Sequence, residues 1–181
     1  MKTQRRTLFA LGLLCLFSLP FFSSCDSSDE EEAPVIADPF LEFTVGNSSF
    51  EGDFTGFNAA IIALTNPGVS WTSVSMGGST TTGETISFVV IFDGKSTGTS
   101  TLTAEAGEDE DAPQGLSLAL VTSSSNAVVY EAANITLNVT SYTPIGGIGA
   151  EVEGNFSGTV QDEDGNSTTL SGSFRTGTLS N

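Results

Sequence analysis

From residue 40 onward, apolar and polar positions alternate in short runs. In Ile135, Leu137 and Val139 the odd positions are apolar, while Asn134, Thr136, Asn138 and Thr140 are polar. Val152, Phe156 and Val160 repeat the pattern on even positions against Glu151, Glu153, Asn155, Ser157, Thr159 and Gln161. A period of two gives one buried and one wet face, the pattern of an antiparallel strand. The runs are rich in Thr, Val, Ile and Phe and are separated by Gly, Asn, Asp and Ser, which punctuate strands. They predict strands over Leu41–Val45, Ser49–Gly52, Asn58–Leu64, Trp71–Met76, Glu84–Phe92, Thr99–Ala104, Gly115–Thr122, Ala127–Glu131, Asn134–Tyr142, Glu151–Gln161 and Thr168–Thr178. No window has a helical period. Within the fifth, Phe88-Val89-Val90-Ile91-Phe92 is continuously apolar and should run centrally, covered on both faces. The expected fold is all-β, an antiparallel β-sandwich of about ten or eleven short strands, with a β-barrel as the alternative.

The last two predicted strands both bury even-numbered residues, so facing residues must pair even with even. A three-residue Asp164-Gly165-Asn166 loop satisfies this and sets Phe156 opposite Phe174, Gly158 opposite Gly172 and Val160 opposite Leu170.

The first 39 residues carry no such alternation. Basic Met1–Arg6 precedes an apolar run, Leu8–Phe22, too short to span a bilayer, then Phe22-Ser23-Ser24-Cys25 and the acidic Asp26-Ser27-Ser28-Asp29-Glu30-Glu31-Glu32. This order resembles a bacterial lipoprotein export signal, whose cysteine is acylated and becomes the mature N-terminus. Small Ser23 and Ser24 favour Cys25 over Cys15, which follows bulky Leu13 and Leu14, although Phe22 stands where such signals usually carry Leu. Arg5-Arg6 faintly resembles a twin-arginine signal, but so apolar a run suits ordinary secretion. The expected organisation is a signal peptide over 1–24, a flexible acidic tether over 25–39 and a β-domain over 40–181.

Several later segments extend the likeness: Asn134–Tyr142, Gly146-Gly147, Glu153-Gly154-Asn155-Phe156-Ser157-Gly158-Thr159 and Leu170-Ser171-Gly172-Ser173-Phe174-Arg175. With Phe43-Thr44-Val45-Gly46-Asn47-Ser48-Ser49-Phe50 as an opening hairpin, the chain resembles small lipoproteins of the Bacteroidota that carry a β-rich domain of unknown function. The acidic tract after Cys25 is similar to the signal that sends such lipoproteins to the cell surface. The resemblance implies outer-membrane location through lipid on Cys25, with cell-surface display, or the periplasmic face as the alternative. It supplies no active site.

Charge and composition narrow the function. Once the signal is removed, 22 acidic residues face only Lys95 and Arg175, leaving 20 net negative charges. Such a surface repels nucleic acid, so no nucleic-acid role is expected. There is no histidine, which excludes His-based triads, general bases and metal ligands, and cleavage before Cys25 leaves no free thiol. The chain is expected to be no enzyme and to need no cofactor.

The remaining candidates are each weighed against a plain structural role. Glu105 with Glu108-Asp109-Glu110-Asp111 concentrates carboxylates, but consecutive acids cannot all turn inward, and a solvated loop is expected. Asp162, Asp164 and Asn166 come nearer a calcium-loop spacing, yet lack the following bidentate Glu and read as a hairpin turn. Trp71, Tyr130 and Tyr142 could form a sugar-stacking platform or pack at the core rim. Glu151 and Glu153 share a wet face and need a partner carboxylate about 5 to 9.5 Å away for glycoside chemistry. Gly-rich Pro144–Gly149 joins strands without a helix and cannot cradle phosphate. The five Asn-x-Ser/Thr triplets are by-products of Ser/Thr-rich strands. The expectation is a non-catalytic binding or envelope-structural module whose partner is a surface protein or a glycan. A carbohydrate-binding accessory protein and a carboxylate-dependent hydrolase are the alternatives.

Overall fold

A computed structural model of the chain describes residues 38–54, 60–65, 68, 70–108, 113–123 and 126–177. All belong to the compact unit Val35–Asn181. The signal, Cys25, the tether up to residue 37 and Asp109, Glu110 and Asp111 lie outside the described residues.

Among the described residues ten strands form: β1 (Phe40–Val45), β2 (Ser48–Asp53), β3 (Ala60–Thr65), β4 (Trp71–Thr80), β5 (Thr85–Asp93), β6 (Gly98–Leu102), β7 (Gly115–Ser123), β8 (Asn126–Ile145), β9 (Gly149–Asp162) and β10 (Ser167–Arg175). Every pairing is antiparallel, and no helix occurs among the described residues. Of the two architectures that the strand pattern allows, sandwich and barrel, the structure is the barrel. Eight strands close a ring in the order β1-β2-β4-β5-β7-β8-β9-β10. The ring is completed by a short seam, Gly52 opposite Thr80 and Asp53 opposite Ser79. β3 lies beneath β2-β1-β10, pairing with the first half of β4 and, at Leu64, with Gly149 of β9. β6 pairs with the second half of β8 below β7.

Where two strands were expected, at Ala127–Glu131 and Asn134–Tyr142, a single strand of 20 residues runs. Its register against β9 shifts between Ala132 and Asn134 and again between Val139 and Ser141. Each extra residue is a β-bulge, which reverses the in/out alternation and bends the strand. The bend lets one continuous wall curl shut instead of splitting into two sheets. Pro144, which has no N–H to donate, lies where β8 pairs only with β9.

The β9–β10 register departs from the expected one by two residues. Phe156 faces Gly172 and Phe174 faces Gly154, not each other. The loop has three residues, as expected, but they are Glu163-Asp164-Gly165, bracketed by the Asp162 N–H donating to the Asn166 carbonyl at 3.1 Å. Two facts fix this choice. Gly165 takes the left-handed conformation (φ 81°), as the third residue of such loops requires. The Asp162 carboxylate also accepts from the Asp164 and Asn166 backbone N–H groups at 3.0 and 2.8 Å. The same loop form recurs at Thr81-Thr82-Gly83, where Thr80 N–H donates to the Glu84 carbonyl at 2.7 Å and Gly83 has φ 97°.

The even-numbered burial of both strands holds. Phe156 and Phe174 are 2% and 0% exposed, and with Phe88 they form a ring cluster on the barrel axis, centroids 5.2 to 6.4 Å apart. Each ring lies over the glycine facing it: a Cβ on Gly172 would fall 2.6 Å from Phe156 Cζ, and one on Gly154 3.1 Å from Phe174 Cε1. Leu41, Val74, Met76, Val90, Leu116, Leu118, Leu137 and Val152 complete one core cluster inside the wall. β5 runs between β4 and β7 as expected. Its outward Ile91 is only 8% exposed, and Gly107 of the β6–β7 connection comes close to its Cδ1. Val89 is only half-buried, so the outer cover is partial.

Candidate functional site

The three aromatic candidates do not converge. Tyr130 faces inward opposite Leu118 of β7, and Tyr142 faces inward opposite Val152 of β9, both packed against the core. Twelve residues of β8 separate them, roughly 40 Å of strand. The Tyr142 hydroxyl lies 3.3 Å from Thr72 Oγ1, which itself donates to the Gly94 carbonyl at 2.8 Å, so it closes the lower end of the core. Trp71 is at that same end but on the outer face of β4, opposite Asp93.

The acidic candidates are used locally. The Asp162 carboxylate holds the turn, accepting also from Asn166 Nδ2 at 3.0 Å, and these bonds, the Asn166 side chain first, hold its pKa below the ordinary aspartate value. Glu84 accepts from the hydroxyls of Thr80 and Thr82, which lower its pKa in the same way. Glu153 forms an ion pair with Arg175 across the β9–β10 pair, at 2.9 Å, and the guanidinium sits over the Phe40 ring. Both partners are about a third exposed, so the pair contributes at most about 1 kcal/mol. Glu105 and Glu108 lie in the β6–β7 connection, whose Gly107 N–H donates to the Pro113 carbonyl at 3.0 Å. Among the described residues no group of three or more His, Cys, Asp or Glu side chains could hold a metal ion.

A groove of about 490 Å³ opens along the β1–β2 hairpin beside the barrel seam. The hairpin turns through Gly46-Asn47, which pairs Val45 with Ser48 and so sets Glu42 directly across from Glu51. On its other side Glu42 faces Ser173, whose Oγ donates to Glu42 Oε1 at 2.6 Å. The Thr44 and Ser49 hydroxyls share a 3.0 Å hydrogen bond. Ser171 and Gly172 line one side and Thr81 and Thr82 the other, where Thr81 N–H donates to the Glu51 carbonyl at 2.8 Å. Phe43 and Phe50 lie at its floor, their rings stacked at 5.2 Å on the core side of the hairpin, with Phe43 only 3% exposed. Facing like charges repel, so Glu42 and Glu51 cost stability in a strand pair. Chemically the groove offers carboxylate acceptors and a row of hydroxyls, a set that can hydrogen-bond a polyhydroxylated molecule.

None of these groove residues was singled out from the sequence. The signal was present, because a two-residue Gly46-Asn47 turn fixes the hairpin register and hence the Glu42–Glu51 pair. Ser171, Thr81 and Thr82 arrive from distant strands and could not be found that way.

Fold and groove together define a class: a closed, antiparallel up-and-down β-barrel with a packed interior and its polar recess on the outer wall. Comparison with protein-family models, curated proteins and solved structures found no significant match to this chain.

Proposed function

We propose that this chain is a lipid-anchored outer-membrane protein, displayed at the cell surface, that acts as a non-catalytic binding module for a carbohydrate-like ligand. The observation that carries the reading is the location of polar recess and packed core. Phe88, Phe156 and Phe174 fill the barrel interior, so a ligand is met outside, where Glu42, Glu51, Thr44, Ser49 and Ser171 offer hydrogen bonds. Membrane attachment rests on the signal and Cys25. Cys25→Ala should abolish acyl incorporation and release the protein from the membrane fraction, and unchanged labelling would sink the anchoring.

Glycan-array binding tests the groove. Wild-type binding should fall at least about tenfold in Ser171→Trp, which fills the groove, and in Glu51→Gln, which removes a charged acceptor worth roughly 1.5 to 3 kcal/mol. Binding untouched by both but lost in Trp71→Ala would move the site to the outer face of β4. A second reading, a carboxylate-dependent hydrolase, is favoured by one observation, the facing Glu42 and Glu51. Release of reducing ends that disappears in Glu42→Gln and Glu51→Gln would establish it in place of the binding module.

A further inference from the structure

The two ends of the barrel differ in chemistry. Of the four exposed large hydrophobic residues among the described ones, Leu64, Ile145 and Ile148 cluster at the lower end, 47%, 37% and 62% exposed. Leu64 and Ile145 both pair with Gly149, from opposite sides, and that glycine has no side chain to separate them. Ile148 stands beside it at the tip of the β8–β9 hairpin, in the three-residue turn Gly146-Gly147-Ile148. Both cations of the domain lie at this end too, among the carboxylates of Asp93, Glu151 and Glu153. Lys95 follows Gly94, whose N–H donates to Ser70 next to Trp71, and Arg175 pairs with Glu153, four residues along β9 from Gly149. The opposite end carries the acidic Asp162-Glu163-Asp164 turn.

The chain enters the domain at the apolar end. Phe40 pairs with Arg175 and Arg175 with Glu153, so Pro39 lies within about 15 Å of the Gly149 level, taking about 3.3 Å per residue along β9. Between Cys25 and Pro39 there are 14 peptide steps, which reach about 50 Å at the very most whatever their conformation. β9, 14 residues long and tilted as barrel strands are, rises roughly 35 Å, which puts the acidic end about 20 Å beyond the level of Pro39, farther than the apolar end.

We infer that the Leu64–Ile145–Ile148 tip is a bilayer-docking surface: the lipid-tethered barrel rests on its own membrane on this end, with the aliphatic side chains among the headgroups. The inference rests on acylation at Cys25. An exposed aliphatic tip is what lies in a membrane interface, and the anchored chain enters the domain nearer this end than the other. Docking would leave the acidic end, with the Asp162–Asp164 turn, facing away from the bilayer.

The test uses the full acylated protein in phosphatidylcholine vesicles, with an environment-sensitive fluorophore on Gly147→Cys, where a side chain meets nothing within 4 Å. A matched label goes on Asp164→Cys at the far end. Doxyl groups on the lipid acyl chains should quench the label at 147 by roughly half and leave that at 164 unchanged, since interfacial residues reach about 5–10 Å into the boundary. Adding Ile145→Ser and Ile148→Ser should remove most of that quenching while the protein still floats with the vesicles. Equal, negligible quenching at both positions in floated protein overturns the docking and leaves the anchoring intact. Protein that does not float overturns the anchoring itself, and docking with it. A concentration-dependent blue shift at 147 in lipid-free Cys25→Ala protein assigns the tip to a second copy of the chain and overturns the bilayer as its occupant.

Discussion

Gly172→Ala offers the sharpest test of how the barrel is packed, because one methyl group meets three immovable neighbours. The new Cβ would lie 2.3 Å from the Glu42 carbonyl oxygen, 2.6 Å from Phe156 Cζ and 2.8 Å from Phe43 Cβ. The first is backbone of β1, which pairs with β10 at this position. The other two belong to side chains 2% and 3% exposed, so no flexible tip can swing aside. Inserting a methyl into a filled core typically costs about 1–3 kcal/mol. The 2.3 Å clash with backbone puts the cost at the upper end of that range, alanine recovers about 0.4–1 kcal/mol through the unfolded chain, and a net loss near 2 kcal/mol is expected. For a domain of this size that is a fall in Tm of roughly 4–8 °C. Urea unfolding of the Cys25→Ala form, followed by the fluorescence of the single Trp71, measures it. Gly147→Ala is the control: nothing lies within 4 Å of its Cβ position, so it should stay within about 0.5 kcal/mol of wild type. Equal stability of the two variants would refute the Phe-over-Gly packing and the β9–β10 register behind it.

Phe156→Ala should cost about 3–5 kcal/mol, since it opens a cavity beside Phe88 and Phe174, and a loss under about 1 kcal/mol in the same urea assay would argue against a ring cluster on the axis. Asp162 should titrate below an unfolded-chain aspartate when its carboxyl carbon is followed by NMR. Its stabilisation of the turn is therefore present above the unfolded pKa and fades as pH falls through the lower folded one, and Asn166→Ala should move the midpoint upward. Saturating Ca²⁺ should raise Tm by no more than about a degree or two beyond equal ionic strength, because the Asp162 oxygens are already engaged by Asn166 and the turn backbone; a larger shift, lost in Asp162→Asn, would show a calcium site.

The sequence by itself determined where the strands lie and which residues of each are buried. Alternation is a local property: Ile135, Leu137 and Val139 declare an apolar face whatever they meet, and all three are buried. Turn chemistry was legible only in part: a three-residue loop around Gly165 was expected, but its residues are Glu163-Asp164-Gly165. What a strand's apolar face meets is a long-range matter. Sandwich and barrel share the same alternation, and the choice fell to the bulges in β8 and the two-residue seam between β2 and β4. The β9–β10 register shows the limit most clearly. Sliding by two residues keeps every even position inside, so burial could not distinguish Phe156 opposite Phe174 from Phe156 opposite Gly172. The Asp162 carboxylate, the left-handed Gly165 and the fit of each ring over a glycine settled it, and those contacts exist only once the strands are side by side. The groove follows the same division. Glu42 opposite Glu51 is implied by a two-residue turn, whereas Ser171, Ser173, Thr81 and Thr82 reach them only through closure of the wall, which nothing local in the chain encodes.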